Sequence, residues 1–146
     1  IAGIANGRAE FGPRALGNRS LVADPRIDIK DTVNTIKRRQ KFRPFAPAIL
    51  EEYADEYFDG PMNEYMQFVA TAKHDYKSVT HVDGSARVQI VKRNCSSILR
   101  PVLEEFYELT GVPMLLNTSL NIKGKPMVNN EADGVIFESK YKVKVF

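Results

Sequence analysis

Three groups of residues have types and spacings that could do chemistry. In Glu10-Phe11-Gly12-Pro13-Arg14-Ala15-Leu16-Gly17-Asn18-Arg19-Ser20, two guanidinium groups stand five residues apart on a glycine-loosened backbone. Arginine forks grip phosphate or carboxylate oxygens two at a time, and glycines let backbone N–H groups approach the same oxygens. The segment is neither a Walker A sequence nor a Rossmann fingerprint, so a surface turn with solvated arginines competes with the anion site. Lys37, Arg38, Arg39, Lys41 and Arg43 then place five cations in seven residues, interrupted by Phe42 and stopped by Pro44. Like charges so dense repel unless an anion sits among them; the competing reading is a helix end with a solvated basic rim. Read as a strand, this stretch sends Lys41 and Arg43 to one side and Phe42 to the core. The third group, Asn117-Thr118-Ser119-Leu120-Asn121, follows an apolar run. It reads as a polar loop beyond a strand's end, where open α/β sheets bind ligands, or as turns that serve only the chain itself.

The elements that would position these groups alternate between strand and helix. Ile1–Ala5 reads as a strand before the glycine-bearing loop. From Asp28, the spacing of Ile29, Val33 and Ile36 predicts a helix with Lys37, Arg38 and Arg39 in its last turn, where cations complement the helix dipole. Phe45–Leu50 reads as a buried strand, Glu51–Phe58 as a short acidic helix, and Tyr65–Ala72 as another strand. After the Asp83-Gly84 turn, residues 86–91 alternate as a strand, with Arg87 and Gln89 on one face. A helix over Ser97–Leu109 would bury Ile98, Val102, Phe106 and Leu109, tolerate Pro101 in its first turn and stop at Gly111. Val112–Leu116, a helix near Asp133–Ser139 and a final strand complete a mixed α/β pattern.

Length and composition narrow the class. The 146 residues, 43% hydrophobic and 27% charged without repeats, suit one folded domain spanning 1–146. No stretch has the ~20 apolar residues of a membrane span and no signal peptide is evident, so a cytoplasmic protein without a membrane partner is expected. One cysteine, Cys95, and two histidines give no zinc-ligand spacing. The N-terminal Ile1 and the strand-like last residues suggest a fragment of a larger enzyme. The net charge of +3 is unevenly spread: residues 1–50 are strongly basic and 51–85 strongly acidic.

Taken together, four ordered motifs closely resemble the C-terminal domain of the O-carbamoyltransferases of antibiotic and nodulation-factor biosynthesis. They are Gly12-Pro13-Arg14-Ala15-Leu16-Gly17-Asn18-Arg19-Ser20, Phe42-Arg43-Pro44-Phe45-Ala46-Pro47, His81-Val82-Asp83-Gly84 with Ala86-Arg87-Val88-Gln89, and Leu115-Leu116-Asn117-Thr118-Ser119-Leu120-Asn121. The likeness runs from about residue 3 to about residue 128 and fades after Asn129. It implies an α+β fold, a YrdC-like twisted mixed β-sheet with flanking helices, beside a larger N-terminal domain of the same polypeptide with an actin-like ATPase core. The Lys-x-Arg and Ser-x-Asn pairs of the YrdC family are matched here to Lys41 with Arg43 and Ser119 with Asn121.

The resemblance further implies that the domain takes ATP, with magnesium as its companion, and carbamoyl phosphate as co-substrate. It would form carbamate and then carbamoyl adenylate, which the N-terminal domain uses to carbamoylate a hydroxyl. Lys41 and Arg43 would act on phosphate or adenylate oxygens as the catalytic pair. Arg14 and Arg19 would bind carbamoyl phosphate or the triphosphate, and Ser119 with Asn121 would orient the carbamoyl or phosphate group. Arg87, Gln89 and Asn117 complete the expected binding set. Iron or any other resident metal is expected only in the N-terminal domain, and a homo-oligomer is left open. A YrdC-like RNA-binding or tRNA-modification module is the alternative class. The missing aromatic stacking signature and the acidic middle third oppose it.

Overall fold

The computed structural model describes residues 1–146. Its main sheet has five strands in the order β1-β2-β8-β3-β7. These are β1 (Ala2–Ala5), β2 (Arg19–Ala23), β3 (Ala46–Leu50), β7 (Gln89–Val91) and β8 (Met114–Ser119). The β1–β2, β2–β8 and β8–β3 pairs are antiparallel, and β3–β7 is parallel. A smaller antiparallel sheet joins β4 (Phe58–Asp59), β5 (Ala70–Ala72) and β6 (Ser85–Ala86). The mixed α/β class expected from the sequence is the class observed.

All five residues of β2 and of β3 are buried, because both faces of the main sheet are covered. Alternation sorts them. Leu21, Ile49, Met114 and Leu116 enter one core with Val33 of α1 (Lys30–Ile36), Phe137 of α4 (Glu131–Tyr141) and residues of the small sheet. Val22, Ala48, Leu50 and Leu115 enter a second core against Leu99 and Leu103 of α3 (Leu99–Thr110). No helix is long and apolar enough to cross a membrane.

Several elements depart from the sequence expectation. Helix α3 buries Leu99 and Leu103 rather than a stripe through Leu109, which is 74% exposed. Pro101 does fall in its first turn, and Gly111 closes it with a left-handed φ of 71°. Of Tyr65–Ala72, only Ala70–Ala72 is strand. The acidic segment splits into a single 3₁₀ turn (Glu51–Tyr53) and α2 (Ala54–Tyr57). The alternating run at 86–91 is not one strand: the chain leaves the small sheet at Ala86 and joins the main sheet at Gln89. Arg87 and Gln89 therefore do not share a face. Helix α4 begins two residues before the expected Asp133, with Asn130 and Asp133 forming a capping box. The tail lies along β1, where Gly3 N–H donates to Lys144 O at 2.7 Å and Ala5 N–H to Phe146 O at 2.8 Å.

Candidate anion-binding site

The basic segment after α1 takes its shape from the helix end. Lys37 caps α1, and Arg38 then adopts a left-handed φ of 53°, which turns the chain sharply. Arg39 is led back toward the protein. Its Nε donates to Asn34 Oδ1, a terminal nitrogen donates to Pro44 O at 3.1 Å, and the guanidinium lies 4.1 Å over the Phe45 ring. Burial holds Arg39 down to about 10, and the charges of Arg43 and Arg87 push the same way. Arg87 is also lowered, by burial first and then by Arg14 and Arg43. Arg14, Arg39, Arg43 and Arg87 thus feel one another, and none of them has a carboxylate within ion-pair distance.

Arg39, Arg43 and Arg87 line one cavity of about 390 Å³, with Phe45, His81 and Ser85. Asp83 is the one carboxylate in its wall, and it is already engaged: Oδ1 accepts from Ser85 Oγ at 2.6 Å and lies 3.1 Å from His81 Nδ1. Those contacts hold the Asp83 carboxyl down to about 2, the Ser85 hydroxyl contributing most. Three guanidinium groups against one carboxylate leave the cavity wall net positive, which favours an anion. A larger cavity of about 500 Å³ touches Gln89 but suits a polyanion badly. Its wall carries Glu10 and Glu64, and its one cation, Lys92, is paired with Glu64 at 2.9 Å.

The loop bearing Arg14 is held from beneath. Asn117 Nδ2 donates to Ala15 O at 3.0 Å and to Gln89 Oε1 at 2.7 Å, while Gln89 Nε2 donates to Leu16 O at 3.1 Å. Glu10 Oε1 accepts from Leu16 N–H and Asn18 N–H at 2.6 and 2.7 Å. Gly17 passes so close to Ser97 and Leu99 that an added Cβ would stand 3.0 Å from each. Asn117 and Gln89 are both buried, so the structure uses them to position the loop; Asn117 Oδ1 is left without a partner.

A second polar cluster forms where α1 meets the end of β8. Lys37 Nζ contacts Ser119 O, lies 3.3 Å from Ser119 Oγ, 3.0 Å from Asn121 O and 3.1 Å from Asn121 Oδ1. The residue is only 5% exposed. Burial, with the charge of Arg39 added, pushes its amine down to about 7. Ser119 Oγ also donates to Asn121 Oδ1 at 2.6 Å, so the Ser-x-Asn pair and the lysine form one network.

This geometry revises the expected site in three places. The sequence holds two Lys-x-Arg triplets, and Lys37 of the first, not Lys41 of the second, meets Ser119 and Asn121. Lys41 faces solvent 3.6 Å from Asp31, and Phe42 is 67% exposed, because residues 41–42 form a turn rather than an alternating strand. Arg43 remains in the cavity wall. Arg19 is 6% exposed, and its five N–H donors go to the carbonyls of Asn6, Gly7, Asn18, Val128 and Asn129, which leaves none for an anion. Asn117 and Ser119 lie within β8 rather than in a loop beyond it. Lys37 and Arg39, which the sequence presents only as part of the cation run, have the same Lys-x-Arg spacing as Lys41 and Arg43 and stand at the site.

The chain is a mixed α/β domain that gathers unpaired arginines at one cavity and buries a lysine against Ser119 and Asn121. Sequence comparison places it more closely: the model described as Carbamoyltransferase C-terminus matches residues 1–146, and the chain belongs to that family. It is 47% identical over 145 residues to nodulation protein NolNO of Sinorhizobium fredii, covering 92% of this chain and 21% of that protein. Nodulation protein NolO of Bradyrhizobium diazoefficiens is 43% identical, with 92% and 26% covered. An uncharacterized protein of Methanocaldococcus jannaschii is 36% identical over 137 residues, with 90% and 27% covered. The chain therefore spans about a quarter of the length of these relatives.

Proposed function

We propose that this domain brings ATP and carbamoyl phosphate together and forms carbamoyl adenylate, which the remainder of a longer polypeptide transfers to a hydroxyl. The observation that carries the reading is the set of unpaired arginines converging at the 390 Å³ cavity. In the reaction, water cleaves carbamoyl phosphate to carbamate and phosphate. A carbamate oxygen then attacks the α-phosphorus of ATP, the bond to the β-phosphoryl oxygen breaks, and pyrophosphate leaves. Both partners of that second step are anions, so fixed positive charge that offsets their repulsion and aligns them lowers the barrier.

Arg39, Arg43 and Arg87 are assigned to phosphate oxygens, and Arg14, whose charge acts on Arg87, adds to the positive field. Ser119 and Asn121 are assigned to orienting the carbamoyl group, and the buried Lys37, whose donors are spent on that pair, holds them in place. No cluster of three acidic, imidazole or thiol groups stands ready to hold a metal, so magnesium would arrive on the triphosphate. The test is calorimetric titration of the full-length protein with magnesium and ATP, with and without carbamoyl phosphate. Arg43→Ala and Arg87→Ala should each weaken saturable binding by about 10- to 100-fold, the worth of a charge-assisted hydrogen bond. Unchanged affinity in both variants would remove the nucleotide from this cavity.

A further inference from the structure

We infer that Asn34 is a positioning residue that sets two of the cavity's arginines at once; the inference rests on the nucleotide site proposed above. Asn34 is fully buried near the end of α1, and its exposure of 0% keeps it from touching any ligand. All of its side-chain hydrogen bonds nevertheless go to the segment that carries the cations. Nδ2 donates to Lys41 O and to Arg43 O, each at 3.0 Å, and Oδ1 accepts from Arg39 Nε. Its backbone carbonyl accepts from Arg39 N–H at 3.0 Å.

One carboxamide thus ties together the two ends of a turn whose own closing bond, Arg43 N–H to Gln40 O, is long at 3.3 Å. Within residues 38–43, the left-handed Arg38 and the 41–42 turn belong to no sheet ladder, and Phe42 is turned outward. Oδ1 fixes the direction of the Arg39 guanidinium, and the Pro44 carbonyl and the Phe45 ring fix its plane. The Nδ2 donor fixes the backbone from which Arg43 springs. Four arginines that repel one another would relax apart if the backbone allowed it; the buried amide opposes that relaxation and keeps the site preorganised before the anion arrives.

The two halves of the amide are separable. Asn34→Asp retains an oxygen for Arg39 but replaces the donor facing the Lys41 and Arg43 carbonyls with an acceptor. Asn34→Ala removes both halves. A misplacement of about 1 Å at a reacting centre costs on the order of 100-fold, so ATP-dependent turnover should fall by tens of fold in both variants.

The test is a double-mutant cycle in the full-length protein, reading carbamoyl phosphate-dependent pyrophosphate formation and the KM for ATP, with circular dichroism confirming the folded state. If Asn34 acts through the arginines, Asn34→Asp lowers kcat/KM in the native background but adds almost nothing once Arg43→Ala is present. Asn34→Ala likewise adds little to the Arg39→Ala, Arg43→Ala double variant. Independent, multiplying losses would overturn the inference, as would a lowered melting temperature with an unchanged KM for ATP in either folded Asn34 variant. If Arg39→Ala and Arg43→Ala are themselves silent, the nucleotide site is misplaced and both conclusions fall. If the arginine variants are damaged and the Asn34 losses multiply with theirs, only the role of Asn34 falls.

Discussion

Lys37 Nζ lies 3.1 Å from Asn121 Oδ1, a contact that joins residues 84 positions apart. It exists because α1 ends where β8 runs out, and because Arg38 turns the following cations away from that point. Lys37→Ala should therefore weaken carbamoyl phosphate binding by about 10-fold, because Ser119 and Asn121 lose the buried ammonium hydrogen bonds that hold them. Lys41→Ala, which loses only an exposed contact to Asp31, should leave it within about twofold. Calorimetry on the two variants side by side decides between the two Lys-x-Arg triplets.

The lysine should also make carbamoyl phosphate binding depend on pH. Burial, with the charge of Arg39 added, pushes its amine down to about 7 from an ordinary value of 10.5. Between those values the unfolded chain binds the extra proton, so this group adds stability as pH rises from about 7 toward 10.5, and its penalty is fully present below 7. A bound anion would draw the proton back. Titration with carbamoyl phosphate at pH 8, repeated in buffers of different ionisation enthalpy, should show proton uptake that disappears in Lys37→Met.

Arg19 should behave as a structural residue. Its five bonds stitch the loop at Asn6 and Gly7, the start of β2 and the backbone at Val128 and Asn129 into one unit. Arg19→Lys offers three donors without the planar fork, so it should cost about 2–3 kcal/mol of stability, with the freed carbonyls left partly unpaired. Thermal melts check the loss. The folded fraction should bind ATP as the native protein does.

A second stability prediction concerns Arg100, buried at the start of α3 and held by Glu52 at 2.6 Å and Glu104 at 2.7 Å. Glu52→Gln should cost about 2 kcal/mol, below the ~3–5 kcal/mol of a fully buried pair because Glu52 stays partly exposed. The Arg100 hydrogen bond holds the Glu52 carboxyl down to about 2 from 4.5. Its contribution is present above pH 4.5 and is lost as pH falls toward 2, so the stability of the native and Glu52→Gln proteins should converge on acidification.

The fold was legible where burial is two-sided. The apolar run at 46–50 reads as strand because both faces of β3 meet a core. The end of β8 was not legible: Asn117, Thr118 and Ser119 have loop-like side chains, yet pairing with Val22, Leu21 and Ser20 keeps their backbone in the sheet. The period-2 pattern at 86–91 hid a crossing between sheets, since both sheets need alternate apolar residues. The choice between the lysines turned on a left-handed arginine, a conformation that no residue type at position 38 announces. The arginines themselves were visible as charge; which of them lack partners was a tertiary fact.

The central claim is that this domain adenylates carbamate, and the most direct measurement is carbamoyl phosphate-dependent exchange of labelled pyrophosphate into ATP by the full-length protein. We predict exchange that requires both substrates, with AMP rather than ADP as the nucleotide product, and its loss in Arg43→Ala and Lys37→Ala. ATP cleavage to ADP, or exchange that survives both substitutions, would contradict it.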